Sequence, residues 1–300
     1  MLAWIDGLLV DWEKANLPLL SYSFGRGVAI FEVFSVLETK LGPAIFCLAE
    51  HIARFFRSAE LIRLDLPLTR AELAEAVLTT ARENRVRAGL GKFFAYYPEV
   101  SIPYNSGQAK VSVAVFCAEP AAFGVDPKKS WRKVKVGLSS LCKLHPASVP
   151  VQAKVTGYYI SSHLAMMEAT AKGYDYPILA DTSGHLAEGA NQSCFFIKDK
   201  VLLTALKEGI LEGTTQLVVR QVAKELGYPV REALIPVEEL AGFDEAFLTG
   251  TVVRLVPIES IDGQPLGRTC PGPVTEAIMG RMAQLYRGEL EADRRWLTFI

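Results

Sequence analysis

Hydrophobic positions along the chain switch repeatedly between two periods, and the switches predict its elements. In "MLAWIDGLLVDW" two short apolar runs flank Asp6-Gly7, which predicts a strand, a tight turn and a second strand. "GVAIFEVFSVLE" is dense in β-branched and aromatic residues and predicts a strand, with "PAIFCL" as its hairpin partner. "EHIARFFRSAELI" changes to the helical period, with Ile52, Phe55, Ala59 and Ile62 on one face. In "LTRAELAEAVLTTARENRV" Leu73, Val77 and Ala81 line one side of a second helix, and Thr69 with Glu72 forms a capping box at its start. "KFFAYY" and "KVSVAVFC" predict further strands. These strands lie too close together for helical crossovers throughout, so this half predicts an α+β domain.

"AEPAAFGVDPKKS" mixes Pro, Gly and charge between two strand-like runs and marks a boundary. It divides the chain into an N-terminal α+β domain (1–118), a linker (119–130) and a larger C-terminal domain (131–300), a mixed α/β architecture overall. Past the boundary come strand "WRKVKVGLSS" and a loop with His145-Pro146. The stretch "AKVTGYYISS" leads into a helix with Ile160, Leu164, Met167 and Ala171 at core spacing and Gly173 as its stop. "PILA", "HLAE", "CFFIK" and "VLLTA" continue the sheet. One helix runs from about Thr214 to Gly227, and a last one starts at Pro273, a favoured first-turn residue.

Composition narrows the function classes. The 300 residues suffice for one large domain or two ordinary ones, each with its own core. Lys and Arg number 32 against 33 Asp and Glu, and no block of like charge argues for nucleic acid or an anionic membrane. The N-terminus lacks the basic region and long apolar run of a signal peptide, and no 18-residue apolar run would span a membrane. Cys47, Cys117, Cys142, Cys194 and Cys270 are scattered and odd in number, which predicts reduced thiols in a cytoplasmic protein. Four histidines without H-x-x-x-H spacing predict no metal site.

Four short stretches carry candidate chemistry. Lys154 precedes Thr156-Gly157 and a helix N-terminus, where the dipole disfavours an ammonium and lowers its pKa. An amine neutral part of the time can attack a carbonyl and form a Schiff base. Most lysines are solvated, however, and taken alone the stretch fits an exposed loop better. Glu188 ends a strand before Gly189-Ala190, where a carboxylate can hold a protonated ring nitrogen or simply face water. Gly213-Thr214-Thr215 opens a helix whose buried side is Val218, Val222 and Leu226. Its free N–H groups and hydroxyls suit a phosphate, and equally suit ordinary capping. Thr249-Gly250-Thr251 forms a turn between two strands, with amides that can reach an anion.

The order and spacing of these pieces resemble one family. A-K-x-T-G-x-Y, a helix, G-Y-D, then A-E-G-A, L-x-G-T-T and T-G-T follow the pattern of the class IV aminotransferases, which use pyridoxal phosphate. Branched-chain amino acid aminotransferases are the nearest in pattern, and the resemblance takes in "WIDGLLVDW", Phe31-Glu32, His51 with Arg54, and "GPVT" at 272–275. It implies a smaller N-terminal domain and a C-terminal domain with a barrel-like sheet. It also implies that Lys154 binds the cofactor through a Schiff base and then moves the proton between Cα and C4′. Glu188 would pair with the pyridine nitrogen and Tyr159 with the ring hydroxyl, while Arg54, Thr214, Thr215 and Thr251 would bind the phosphate. A helical wheel puts Arg54 away from the face of Ile52, Phe55 and Ala59, so its role comes from the resemblance alone. The resemblance implies at least a homodimer and small amino and 2-oxo acids as the other partners.

The resemblance implies substrate at Arg26, Phe31, Lys92, Val252 and Arg254, and several departures from the family pattern lie in that region. Arg26 stands at or next to a usual tyrosine, Lys92 near a usual arginine, Arg254 where an acid is usual, and Gln192-Ser193 replaces Glu-Asn. If they face the pocket, they favour a more anionic substrate than leucine or valine. Three readings remain open: a branched-chain or D-amino acid aminotransferase, an aminodeoxychorismate lyase type of enzyme, and a non-catalytic cofactor-binding relative.

Overall fold

Asp6 and Gly7 both take positive φ, 46° and 94°, and this primed turn joins strand β1 (Leu2–Ile5) to β2 (Leu8–Asp11). The computed structural model describes residues 1–102, 109–125 and 133–300. A short helix, α1 (Tyr22–Arg26), is capped by Ser21 and ends at Gly27 in the left-handed region. Strands β3 (Ala29–Thr39) and β4 (Gly42–Phe46) form the expected hairpin. Helices α2 (Leu48–Leu61) and α3 (Arg70–Glu83) follow, then β5 (Gly89–Tyr96) and β6 (Ser112–Ala118). The Thr69–Glu72 capping box is formed in both directions, and Leu73, Val77 and Ala81 are fully buried.

These elements belong to the first of two compact units, made of Met1–Asp126, Ala153–Tyr158 and Tyr286–Ile300. Its seven-stranded sheet runs β16-β4-β3-β5-β6-β1-β2, where β16 (Leu297–Phe299) comes from the C-terminus. Period-two alternation turns Ile30 and Phe34 into one core with Ile52, Phe55 and Ala59 of α2. Part of the 119–130 segment lies outside the described residues, and Pro120–Phe123 within it forms a 3-10 turn.

The second unit, Pro127–Gln152 with Tyr159–Leu285, holds the remaining elements. They are β7 (Val134–Leu138), α4 (Tyr159–Ala171), β8 (Tyr176–Ala180), β9 (Leu186–Gly189), β10 (Ser193–Lys198) and β11 (Val201–Thr204). After them come α5 (Thr214–Glu225), β12 (Val230–Glu232), β13 (Glu245–Gly250), β14 (Arg254–Ile261) and β15 (Gln264–Pro265). Helix α6 (Pro273–Tyr286) begins at the expected proline. The sheet order is β12-β11-β10-β13-β14-β7-β8-β9, with β15 on β14. Only Ala190, Asn191 and Gln192 separate β9, at one end of that order, from β10 near the other. A link that short cannot span a flat sheet, so the sheet must curl until β9 returns to β10. This is the barrel-like sheet that the family resemblance implies.

Two helix faces differ from the sequence reading. Ile160, Leu164 and Met167 of α4 are exposed, at 59%, 48% and 60%, while Ser162, Ala165 and Ala169 are buried. The helix is apolar on more than one side, so hydrophobicity alone does not fix its inner face; small residues do, by allowing close approach. In α5 Val218 and Val222 are buried as expected, but Leu226 lies at the C-cap and is exposed.

Candidate active site

Within the first unit, a buried charge cluster forms between β3 and α2. Glu32 shares its face of β3 with Ile30 and Phe34, and so points at α2. Its carboxylate accepts Arg54 Nε–H and Nη2–H, each at 2.7 Å, and contacts His51 Nδ1 at 2.7 Å. A carboxylate only accepts, so Nδ1 carries the proton. Burial would raise the Glu32 pKa, but the Arg54 and His51 partners outweigh it and hold it at about 2. Burial lowers the His51 pKa, so at neutral pH His51 is an uncharged donor. His51, Arg54 and Ser58 thus make a second inward stripe beside Ile52, Phe55 and Ala59, which is why Arg54 is buried against the helical-wheel expectation.

Lys154 is fixed to the same unit. Its N–H donates to Ser58 Oγ at 3.0 Å, and its C=O accepts Phe31 N–H at 3.1 Å. Val155 then bridges Ile30, Thr156 Oγ1–H reaches Gly27 C=O at 2.8 Å, and Gly157 N–H the same carbonyl at 3.0 Å. The α-helix starts only at Tyr159, after a 3-10 turn at Thr156–Tyr158, so Lys154 sits on an added strand segment and not at a helix cap. Lys154 Nζ lies 4.9 Å from the Phe31 ring centre. Lys92 Nζ lies 4.4 Å from the same ring and 4.5 Å from Phe94. Burial and the nearby Lys154 ammonium hold the Lys92 pKa below the ordinary lysine range. Arg26 Nη2–H donates to Ile102 C=O at 2.6 Å, and its guanidinium lies over the Tyr22 ring.

Within the second unit, the remaining motifs converge on the start of β10. Glu188, next to last in β9, is almost fully buried and in ion-pair contact with Lys143. Burial would lower the Lys143 pKa, but the Glu188 charge and hydrogen bond, with Tyr159 adding to them, leave it raised. Gly189 N–H donates to Gln192 C=O at 2.8 Å, closing the turn between β9 and β10. Ser193 pairs with Thr249, which brings in the Thr249-Gly250-Thr251 turn. A Cβ on Gly213 would stand 2.7 Å from Ser193 Oγ, so glycine is what lets the start of α5 pack there. Gln216 accepts Gly213 N–H at 3.2 Å and donates to Thr204 Oγ1 at 3.1 Å. Thr214 and Thr215 are both buried, and the Thr215 hydroxyl has no hydrogen-bond partner among the described residues. Val252 is exposed and Arg254, at φ 59°, closes the turn by accepting Thr249 Oγ1–H at 2.7 Å.

Residues 29–261 match the sequence profile of the family described as amino-transferase class IV. The chain belongs to the class IV aminotransferases. Class IV enzymes depend on pyridoxal phosphate, and this one is a transaminase. The chain is 32% identical over 297 residues to the branched-chain-amino-acid aminotransferase of Pseudomonas aeruginosa, covering 99% of this chain and 96% of the other. The Escherichia coli K12 enzyme of the same name is 30% identical over 298 residues, with the same coverage. Among solved structures, the branched-chain aminotransferase from Thermoproteus uzoniensis with norvaline matches at TM-score 0.93 and 35% identity, over 99% of this chain and 98% of the other. The branched-chain amino acid aminotransferase from Thermobaculum terrenum in its pyridoxal phosphate form matches at TM-score 0.91 and 28% identity, over 99% of this chain and 97% of the other.

The residues present fit the class IV cofactor. The orphaned Thr215 hydroxyl at the N-terminus of α5 needs an acceptor, which a phosphate oxygen supplies. Sequence reasoning missed Ser58 and Lys143. Lys143 lies in no motif, and Ser58, although one turn beyond Arg54 on the same stripe, shows its link to Lys154 only in the folded contacts.

Proposed function

We propose that this transaminase moves the amino group of branched-chain L-amino acids to 2-oxoglutarate, in the cytoplasm and as a homodimer. Lys154 is the amine that bonds the cofactor and then carries the α-proton. Glu188 pairs with the ring nitrogen and Tyr159 with the ring hydroxyl. Arg54, Thr214, Thr215 and Thr251 hold the phosphate. Pyridoxal phosphate supplies an electron sink for the pair left behind when the α-proton leaves. Phe31 and Val252 contact the aliphatic side chain, and Lys92 meets the acceptor's second carboxylate.

The observation that carries this reading is the mount of Lys154, with both main-chain groups fixed and its amine over an aromatic ring. The full-length likeness to branched-chain enzymes supports the substrate. The five free thiols support a reducing compartment, and among the described residues no helix is long and apolar enough to cross a membrane. An anionic donor is the second reading, through Arg26 and Arg254. The hold of Ile102 and Tyr22 on the Arg26 guanidinium weighs against it.

Borohydride reduction of the yellow protein followed by peptide mapping tests the lysine: label on any residue but Lys154 sinks the assignment. A panel of amino acids with 2-oxoglutarate tests the substrate, and faster turnover of acidic or D-amino acids would replace it. The exposed stripe Ile160, Leu164 and Met167 supports a second copy as its cover. L164D is expected to shift the protein to monomer by light scattering, and an unchanged dimer would remove this stripe from the interface.

A further inference from the structure

The Ser58 side chain lies wholly inside the first unit, and its hydroxyl both donates and accepts. As donor it reaches Arg54 C=O at 2.9 Å, one helical turn back. As acceptor it takes the N–H of Lys154, 96 residues further along the chain, at 3.0 Å. A hydroxyl engaged in both roles cannot rotate, so the bond to Lys154 has a defined direction. Phe31 N–H holds the other main-chain group of Lys154. With both groups fixed, the Cα–Cβ direction of Lys154 is set, and the torsions of its stem then place the amine.

We propose that Ser58 is a positioning residue for the reaction, fixing the root of the reactive lysine against the helix that carries Arg54. The proposal rests on Lys154 being the cofactor amine. The lysine must reach one aldehyde carbon when it bonds the cofactor, and one substrate proton when it is released. A root that wanders by an ångström spreads the amine over many places, and misplacement on that scale is costly to reaction rates. The same oxygen binds the carbonyl of Arg54, so the amine and the guanidinium share one reference point. Glu32 fixes the far end of that arginine. Phe31, its neighbour in sequence, fixes the lysine. The two groups are therefore registered to each other through two adjacent residues of β3 and one hydroxyl of α2.

The test compares S58A, S58T and a control, A59G, which weakens the same helix without touching either bond. The readouts are the affinity of each purified apoprotein for pyridoxal phosphate and the hydrogen exchange of the peptide containing the Lys154 amide. S58A is expected to bind at least about tenfold more weakly and to exchange the Lys154 amide at least about tenfold faster. S58T, which keeps the hydroxyl, recovers most of both. A59G lowers the thermal midpoint but leaves affinity and Lys154 exchange near the wild type. Wild-type affinity in S58A, or equal loss in A59G, overturns the proposal. If S58A folds poorly, S58C carries the same comparison, since a thiol fills the space but accepts weakly. A wild-type protein that never takes up pyridoxal phosphate on Lys154 would overturn the functional reading instead.

Discussion

Glu32 grips Arg54 through two parallel hydrogen bonds of 2.7 Å, and this pair is enclosed in the core of the first unit. Removing one side of such a buried pair leaves an uncompensated charge, at a cost of about 3–5 kcal/mol. E32Q is therefore expected to lose that much stability in urea unfolding and to weaken pyridoxal phosphate binding by freeing Arg54. The pH dependence has a definite sign. The folded pKa, about 2, lies below the ordinary value of 4.5, so the stabilisation is present above pH 4.5 and fades as pH falls toward 2. An E32Q protein should lack this acid-side loss.

Lys143 and Glu188 form a second pair, in the other unit. K143M is expected to destabilise the cofactor-free protein by about 3 kcal/mol, because Glu188 loses its cation. The double variant K143M/E188Q should lose less than K143M alone, a coupling that a double-mutant cycle in urea would measure. The raised Lys143 pKa adds a sign: the pair stabilises below about pH 10.5 and weakens only as pH rises through the folded value.

Among the described residues the buried Thr215 hydroxyl has no hydrogen-bond partner, a state that costs about 1–3 kcal/mol. T215V should leave the cofactor-free protein at least as stable as the wild type. The same change should weaken pyridoxal phosphate binding about tenfold, by loss of a hydrogen bond to a charged group. Equilibrium dialysis beside thermal melts separates the two effects.

Gly27 takes φ +66°, and a Cβ there would lie 2.8 Å from Gly157 Cα. G27A combines left-handed strain with a backbone clash, and is expected to cost about 2–3 kcal/mol. It should also displace the segment that carries Lys154, which slower cofactor uptake would register. G157A is the milder change, because its Cβ would meet Gly27 O at 3.0 Å.

Where a side chain obeyed local rules, its place could be read from the sequence. The Asp6-Gly7 turn, the Thr69–Glu72 box, the α2 stripe of Ile52, Phe55 and Ala59, and the Gly213 start of α5 all followed from period, cap or turn chemistry. The α4 face did not, because Ile160 and Leu164 are as apolar as any core residue, and the inner face is chosen by Ser162, Ala165 and Ala169. Arg54 required tertiary knowledge too. One clue was present: Glu32 interrupts the apolar run "AIFEVF", and a charge inside a buried strand needs a cation. Lys143 gave no such clue toward Glu188, nor did Ser58 toward Lys154, 96 residues further along the chain.

The pairing of β16 with β4 has a consequence for how the protein is made. About 250 residues separate Phe46 from Leu297, so the first sheet cannot be finished until β16 has left the ribosome. At about 5–20 residues per second, β4 waits on the order of ten to fifty seconds as an unpaired edge. Lys154 also emerges long after Ser58 and Phe31, the residues that receive it. The first unit is thus begun early and closed late, and during synthesis its open edge is the place where a chaperone, or another nascent chain, would bind.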